Sequence, residues 1–223
     1  MTADLVAGTA LLPVAALSLR EVKHWRELPF ALLPAIFALH QYIESIVWAG
    51  LNGNVSAGLA HVAVFAYLLI ALPLLPTLFP LSILLLEPRG ARLRVAPFVV
   101  LGAVVSTYFA IVLVTDPVGV TSHPYCLAYQ TGAQNMPVWA VLYVVAVIGP
   151  ALMSGYPSIV AFGVLNLIGL VVAAALYVQA FASLWCVYAA VMSVLVLVHM
   201  VRRRRLPDPH RYHGQPLVPL PNP

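Results

Sequence analysis

Long apolar runs separated by short polar segments dominate the chain. Seven of these runs approach or exceed the length of one membrane crossing, for which a helix needs about 20 apolar residues. They cover residues 4–19, 30–50, 57–86, 95–115, 137–153, 158–177 and 181–201. The run 57–86 is long enough for two helices, but its three prolines favour a single bent helix. The pattern therefore predicts an all-α fold, a polytopic bundle of seven transmembrane helices.

The basic residues predict the orientation of this bundle. They form three clusters, at residues 20–26, 89–94 and 202–205. A single bent helix over 57–86 leaves all three clusters on one side, as the excess of Lys and Arg in cytoplasmic loops requires. We therefore predict an outside N-terminus and a cytoplasmic C-terminus in a multi-pass protein of the cytoplasmic membrane. Residues 1–205 form the membrane domain in this prediction, and residues 206–223, with six prolines, form a disordered cytoplasmic tail.

Composition supports a membrane protein and argues against a nucleic-acid partner. The chain is 62% hydrophobic and 8% charged, with a mean hydropathy of +0.97, whereas soluble domains have roughly 25% charged residues. The net charge of +4 comes from residues that flank the apolar runs, so it indicates topology rather than nucleic-acid binding. The expected partners are the lipid bilayer and a small or lipid-like molecule.

The second run carries polar residues where hydrocarbon is expected. His40, Gln41 and Glu44 lie in its interior, and such residues inside a membrane are costly and typical of functional sites. His40 and Glu44 are one helical turn apart and share a face. Counting along the predicted helices places further candidates for a ligand pocket in the same outer half of the bilayer. These are Trp48, His61, Tyr108, Tyr143 and Trp185.

The long segment 116–136 lies beside this outer half and contains His123 and Cys126. A loop of this length can fold over the pocket as a lid. A disulfide between Cys126 and Cys186 would close such a lid, whereas two unrelated thiols would leave it open.

Several functions are compatible with the predicted pocket. His40, Glu44 and His61 supply the ligand types of a catalytic zinc or similar divalent metal, and His40 and Glu44 are the candidate catalytic residues. In a metal-dependent intramembrane hydrolase, Glu44 would take the proton of a metal-bound water. The same residues can instead form a hydrogen-bond network that specifies helix packing. The pocket is also compatible with a proton-coupled transporter or channel, and the chain with a non-enzymatic membrane scaffold or sensor.

Four stretches of the chain resemble a known family. They read HQYIESIVW at 40–48, LSILLLEPRGAR at 81–92, FASLWCVYAAVMS at 181–193 and ELPFALLP at 27–34. Together they are similar to the DUF6629 type of small bacterial integral membrane proteins of unknown function. The resemblance implies a membrane protein and carries over no known reaction. The matched positions are Gln41, Glu44, Trp48, Glu87, Pro88, Trp185 and Cys186.

Overall fold

The computed structural model describes residues 2–123, 126–176, 188 and 192–205, and this part of the chain is mostly helical, as predicted. The helices are α1 (Thr2–Arg20), α2 (Leu28–Ala31), α3 (Leu33–Leu51), α4 (Ala57–Leu69), α5 (Leu75–Leu86), α6 (Arg92–Thr115), α7 (Met136–Leu152), α8 (Pro157–Leu176) and α9 (Val194–Arg204). Two short strands, β1 (Gly119–His123) and β2 (Cys126–Gln130), lie between α6 and α7.

Six of the seven predicted apolar runs are helical, with ends that differ by a few residues from the predicted ones. Within the described part of the chain, four helical segments are long and apolar enough to cross a membrane: Thr2–Arg20, Trp25–Leu51, Ala57–Leu86 and Arg92–Thr115. Helices α7 and α8 contribute shorter apolar segments. The seventh run and the tail fall largely outside the described residues, so the count of seven spans stays a prediction.

Residues 57–86 form one continuous helix, which confirms the prediction of a single element rather than two. A π-helical turn, Ile70–Leu74, joins α4 to α5, and the Leu75 N–H donates to the Ile70 carbonyl five residues earlier. Pro73 lies inside this turn, where a proline removes one backbone donor. The wider register therefore accommodates the proline without ending the helix.

A β-hairpin occupies the segment that we expected to be an irregular loop. Strands β1 and β2 pair in antiparallel fashion, with Gly119 opposite Gln130 and His123 opposite Cys126. Leu127 is fully buried and packs in an apolar cluster with Val47 and Tyr67 from α3 and α4. We call this side of the bundle the hairpin end. The hairpin thus packs against α3 and α4 at this end, and its role as a lid over a pocket stays a prediction.

The main apolar core lies between α3, α5, α6, α7 and α8. Its larger buried side chains are Phe30, Leu33, Phe37, Phe79, Ile83, Leu86, Phe109, Ile148, Ile159 and Phe162. Helices α5 and α6 approach closely because Gly102 faces the Pro76 carbonyl, where any side-chain carbon would overlap the oxygen. The Pro76 oxygen would ordinarily accept from residue 80, which is also a proline and has no N–H.

The opposite side of the bundle, which we call the arginine end, contains a buried ion pair. The arginine end comprises the connections at residues 21–27, 87–91 and 153–156 together with the end of α9. Arg203 Nε donates to Glu27 Oε1 over 2.8 Å, and the two side chains are only 2% and 0% exposed. Its Nη1 donates to the Tyr156 hydroxyl over 2.6 Å. The sequence analysis treated residues 202–205 as one basic cluster on the cytoplasmic side, and it did not distinguish Arg203, which is buried.

Neighbouring groups tie three connections to this ion pair. The Tyr156 hydroxyl donates to the Leu86 carbonyl, and burial raises the pKa of this phenol above its ordinary value, so it stays protonated. Glu87 Oε1 accepts from the Ser154 hydroxyl and from the Gly155 N–H at 2.9 Å. The arginine end is therefore held by charge and hydrogen bonds, in contrast to the apolar core.

Replacing Arg203 with Met should destabilise the protein far more than replacing Arg204. Arg203→Met leaves the Glu27 carboxylate buried without its cation, a loss of about 3–5 kcal/mol. Arg204 pairs with Glu21 but is half exposed, so Arg204→Met should cost less than about 1 kcal/mol. Unfolding of the detergent-purified variants measures both values. Equal losses of stability in the two variants would contradict a buried ion pair. Adding Glu27→Gln to Arg203→Met should recover part of the stability that Arg203→Met loses.

Candidate functional site

The polar residues predicted on the second run lie together on one buried face of α3. His40, Gln41 and Glu44 are each 0% exposed. Helix α1 runs antiparallel along this face, and a side-chain carbon at Gly8 would lie 3.3 Å from the Gln41 Cβ atom. The missing side chain at Gly8 thus lets α1 approach closely. The Thr9 and Tyr42 hydroxyls hydrogen-bond at 2.9 Å along the same contact.

His40 is fixed by a carbonyl of α4 and by aromatic stacking. Its Nε2 lies 3.1 Å from the Tyr67 carbonyl oxygen. Because a carbonyl only accepts, Nε2 must carry the proton and donate it. The His40 ring stacks on Tyr67 at a centroid distance of 3.9 Å, and Tyr67 stacks on Tyr129 of β2 at 4.1 Å. This column of three rings links the centre of α3 to the hairpin.

Several buried polar atoms on this face have no hydrogen-bond partner among the residues that the structure describes. They include both amide atoms of Gln41 and the Nδ1 of His40. An unsatisfied buried polar group costs about 1–3 kcal/mol, and side-chain amides ordinarily find partners inside proteins. Since the His40 proton is on Nε2, the Nδ1 of the neutral ring is an acceptor that faces this site without a donor.

Tyr143 supports the same region from α7. Its hydroxyl donates to the Ala71 carbonyl in the π-helical turn over 2.6 Å. In that turn the Leu75 N–H goes to Ile70, and the next residue, Pro76, has no N–H to offer Ala71. Tyr143 therefore supplies the hydrogen bond that the proline removes. It acts on the helix that positions His40 rather than on the polar face itself.

The structure distributes the remaining predicted pocket residues over different environments. Trp48 is half-buried and packs against the apolar cluster at the hairpin end. The Tyr108 hydroxyl donates to the Gln134 carbonyl at 2.9 Å, and its ring stacks on Trp139 at 3.7 Å. Tyr108 is thus occupied by local contacts. Trp185 lies outside the described residues, as does residue 186 of the predicted Cys126–Cys186 disulfide.

The predicted metal ligands are not assembled into one site. His61 is exposed on α4, whereas His40 and Glu44 are fully buried on α3. Across the described residues, no three His, Cys, Asp or Glu side chains form a group that could hold a metal ion. The geometry therefore gives no support to a metal held by His40, Glu44 and His61.

Sequence reasoning missed other members of the site. Asp4 of α1 is only 5% exposed. Like Glu44, it is an acid within an apolar run, and this was the sequence signal that could have identified it as a candidate site residue. Tyr67 and Tyr129 had no such signal, because tyrosine is common in membrane helices and loops. Their roles depend on the position of the hairpin, which the sequence did not indicate.

Removing the Tyr143 hydroxyl should destabilise the protein by about 1–3 kcal/mol, because Tyr143→Phe leaves the buried Ala71 carbonyl without its donor. The matched control is Tyr108→Phe, whose hydrogen bond to Gln134 is exposed, so that water can replace the lost donor. Denaturant unfolding of both variants in detergent measures the difference. A Tyr143→Phe variant as stable as the Tyr108→Phe variant would contradict the assigned role.

Comparison with known proteins identifies a family but no function. The search of curated proteins and the search of solved structures each found no match. One family model, described as a family of unknown function (DUF6629), matches residues 1–212. This match covers nearly the whole chain, including α1 to α9 and the hairpin. The chain therefore belongs to the DUF6629 family, as its sequence resemblance implied.

Proposed function

We propose that this protein is a multi-pass protein of the cytoplasmic membrane that binds a small or lipid-like molecule at the buried polar face of α3. The observation that carries the proposal is the environment of Gln41. Its side chain is fully buried, and neither amide atom has a hydrogen-bond partner within the described part of the chain. A bound molecule that contacts the amide and the His40 Nδ1 atom would satisfy these groups.

The distribution of charge supports the proposed topology. All Lys and Arg residues up to position 205 lie at residues 20–26, 89–94 and 202–205, and these positions meet at the arginine end. The positive-inside rule makes this the cytoplasmic end. The hairpin end then faces outward, and seven crossings join an outside N-terminus to a cytoplasmic C-terminus. The binding site lies in the outer half of the bundle in this arrangement.

A packing network is a weaker account of the same residues. Polar side chains that specify helix packing in membranes do so through hydrogen bonds between helices. His40 makes such a bond to Tyr67, but Gln41 makes none among the described residues. An apolar side chain of similar size would fill the Gln41 position at lower cost. Ligand binding explains the buried amide of Gln41, whereas helix packing explains only the hydrogen bond made by the Nε2 atom of His40.

Binding is also favoured over transport across the whole bundle. The polar face of α3 and the buried ion pair at the arginine end are separated along the chain by the apolar residues Leu33 and Phe37. His40 and Glu27 are thirteen residues apart, which corresponds to about 20 Å along a helix. The intervening side chains of the main core are tightly buried. The described residues thus resemble two separate polar sites more than one continuous route.

A Gln41→Leu variant should lose a molecule that co-purifies with the wild-type protein. Gentle detergent extraction followed by native mass spectrometry and identification of the released small molecules and lipids tests this expectation. Asn166→Leu is the matched control, because Asn166 is a buried amide whose nitrogen donates to the Phe162 carbonyl within α8. It should retain the molecule at the wild-type stoichiometry.

The stability of the ligand-free protein provides a second readout. Gln41→Leu should be as stable as wild type or up to about 1–3 kcal/mol more stable, since it removes an unsatisfied buried amide. Clear destabilisation, together with an identical set of bound molecules in both proteins, would instead make Gln41 part of a packing network and refute the proposal.

A further inference from the structure

The arginine end contains more positive charge than the acids of the chain can neutralise. Ten of the eleven Lys and Arg residues lie at residues 20–26, 89–94 and 202–205. Only three of the seven Asp and Glu residues belong to that end, namely Glu21, Glu27 and Glu87. Ten bases against three acids leave a surplus of seven positive charges, and the tail at 206–223 adds one acid and one base.

All three of these acids are already engaged within the protein. Glu27 pairs with Arg203 in the buried ion pair, and Glu21 Oε2 accepts from Arg204 Nη1 over 2.9 Å. Glu87 is buried, and one of its oxygens accepts from a hydroxyl and a backbone N–H. The remaining exposed cations therefore need counter-charge from outside the described part of the chain.

Four exposed cations flank the ion pair between Glu21 and Arg204. This pair holds the end of α1 against the end of α9, so residues next to either partner lie at the same junction. The four are Arg20, Lys23, Arg202 and Arg205, and we call them the α1–α9 patch. None of the four forms an ion pair with any residue that the structure describes.

The spacing of the two α9 members favours a bound anion. The Arg205 N–H donates to the Arg202 carbonyl over 3.1 Å, so the chain is still helical there and the two side chains are neighbours on its surface. Like charges at this spacing repel each other. An anion between them removes the repulsion and can accept hydrogen bonds from both guanidinium groups, for which phosphate oxygens are well suited.

The surroundings of the patch match the boundary between lipid and water. Trp25 lies two residues after Lys23 and is 68% exposed, and the Arg26 guanidinium lies 5.6 Å from the centre of its ring. Tryptophan is enriched at the level of the lipid headgroups. Leu17, one turn before Glu21 on α1, is also exposed and can contact an acyl chain. Cations beside an exposed apolar surface fit a phospholipid better than a free phosphate.

We propose that the α1–α9 patch binds the headgroups of anionic phospholipids in the cytoplasmic leaflet. This surface is separate from the polar face of α3, and the proposal does not depend on a molecule bound there. A Lys or Arg residue near an anionic membrane surface contributes about fivefold in affinity. Four unpaired cations at one junction therefore give a clear preference for anionic over zwitterionic lipids.

Competition between two lipids for the full-length protein in detergent tests the proposal. The probes are phosphatidylglycerol and phosphatidylcholine with identical acyl chains, added at equal concentration and counted as bound adducts by native mass spectrometry. We expect phosphatidylglycerol to predominate on the wild-type protein. The double variant Arg202→Gln and Arg205→Gln should lower the ratio of the two lipids by about tenfold or more, because two cations are lost.

A second variant should change the ratio in the opposite direction. Glu21→Gln releases Arg204 from its ion pair, so the preference for phosphatidylglycerol should increase by about threefold or more. Asp116→Asn is the matched control, because it makes the same change of charge where α6 ends at the hairpin end. It should leave the ratio unchanged. If the double variant does not fold, the comparison of Glu21→Gln with Asp116→Asn still decides the proposal.

Four results would overturn the proposal. The first is equal binding of the two lipids to the wild-type protein, and the second is an unchanged ratio in a folded double variant. The third is an increase in Asp116→Asn as large as that in Glu21→Gln, because the ratio would then report overall charge rather than this patch. The fourth is displacement of phosphatidylglycerol by an equal concentration of glycerol phosphate, which would make the ligand a soluble phosphate compound instead of a lipid.

Discussion

The backbone hydrogen bonds that prolines remove from the helix over residues 57–86 constrain much of the surrounding structure. In an apolar bundle each freed carbonyl must be paired inside the protein. Tyr143 donates to the Ala71 carbonyl, and Gly102 lets α6 approach the Pro76 carbonyl closely. His40 donates to Tyr67, just before the π-helical turn. The irregular segment therefore contacts α3, α6 and α7, and the candidate site lies beside its contact with α3.

The two ends of the bundle solve the problem of buried charge differently. At the arginine end, the Glu27 carboxylate receives Arg203 and two backbone N–H groups, so its charge is compensated within the chain. At the hairpin end, Asp4 and Glu44 are buried in a part of the sequence without Lys or Arg. The first arrangement fits a structural fastening of α9 to the bundle. The polar face of α3 also contains both amide atoms of Gln41, which have no hydrogen-bond partner among the described residues, and this is why we place the proposed function there.

Sequence periodicity and length were sufficient for the helices, and polarity was sufficient for the core of the site. Six apolar runs are helical, and His40, Gln41 and Glu44 are buried together as their spacing required. The hairpin was missed because its strands are short and lack a strong alternation. The buried role of Arg203 was missed because four consecutive arginines look equivalent in a sequence, and only tertiary packing makes one of them face Glu27. His61 has the right chemistry for the site, yet it is exposed on α4.

The ring column connects the stability of the hairpin to the geometry of the site. Tyr67 has His40 on one face and Tyr129 on the other, and a stacked aromatic pair contributes about 0.5–1.5 kcal/mol beyond its buried area. Burial of Leu127 adds about 1.5–3 kcal/mol. A two-stranded hairpin is marginal by itself, so its docking depends on these few contacts. Its free energy of local opening is accordingly smaller than that of the helices beneath it. The stacking of Tyr129 on Tyr67 and of Tyr67 on His40 therefore couples the docking of the hairpin to the geometry around His40.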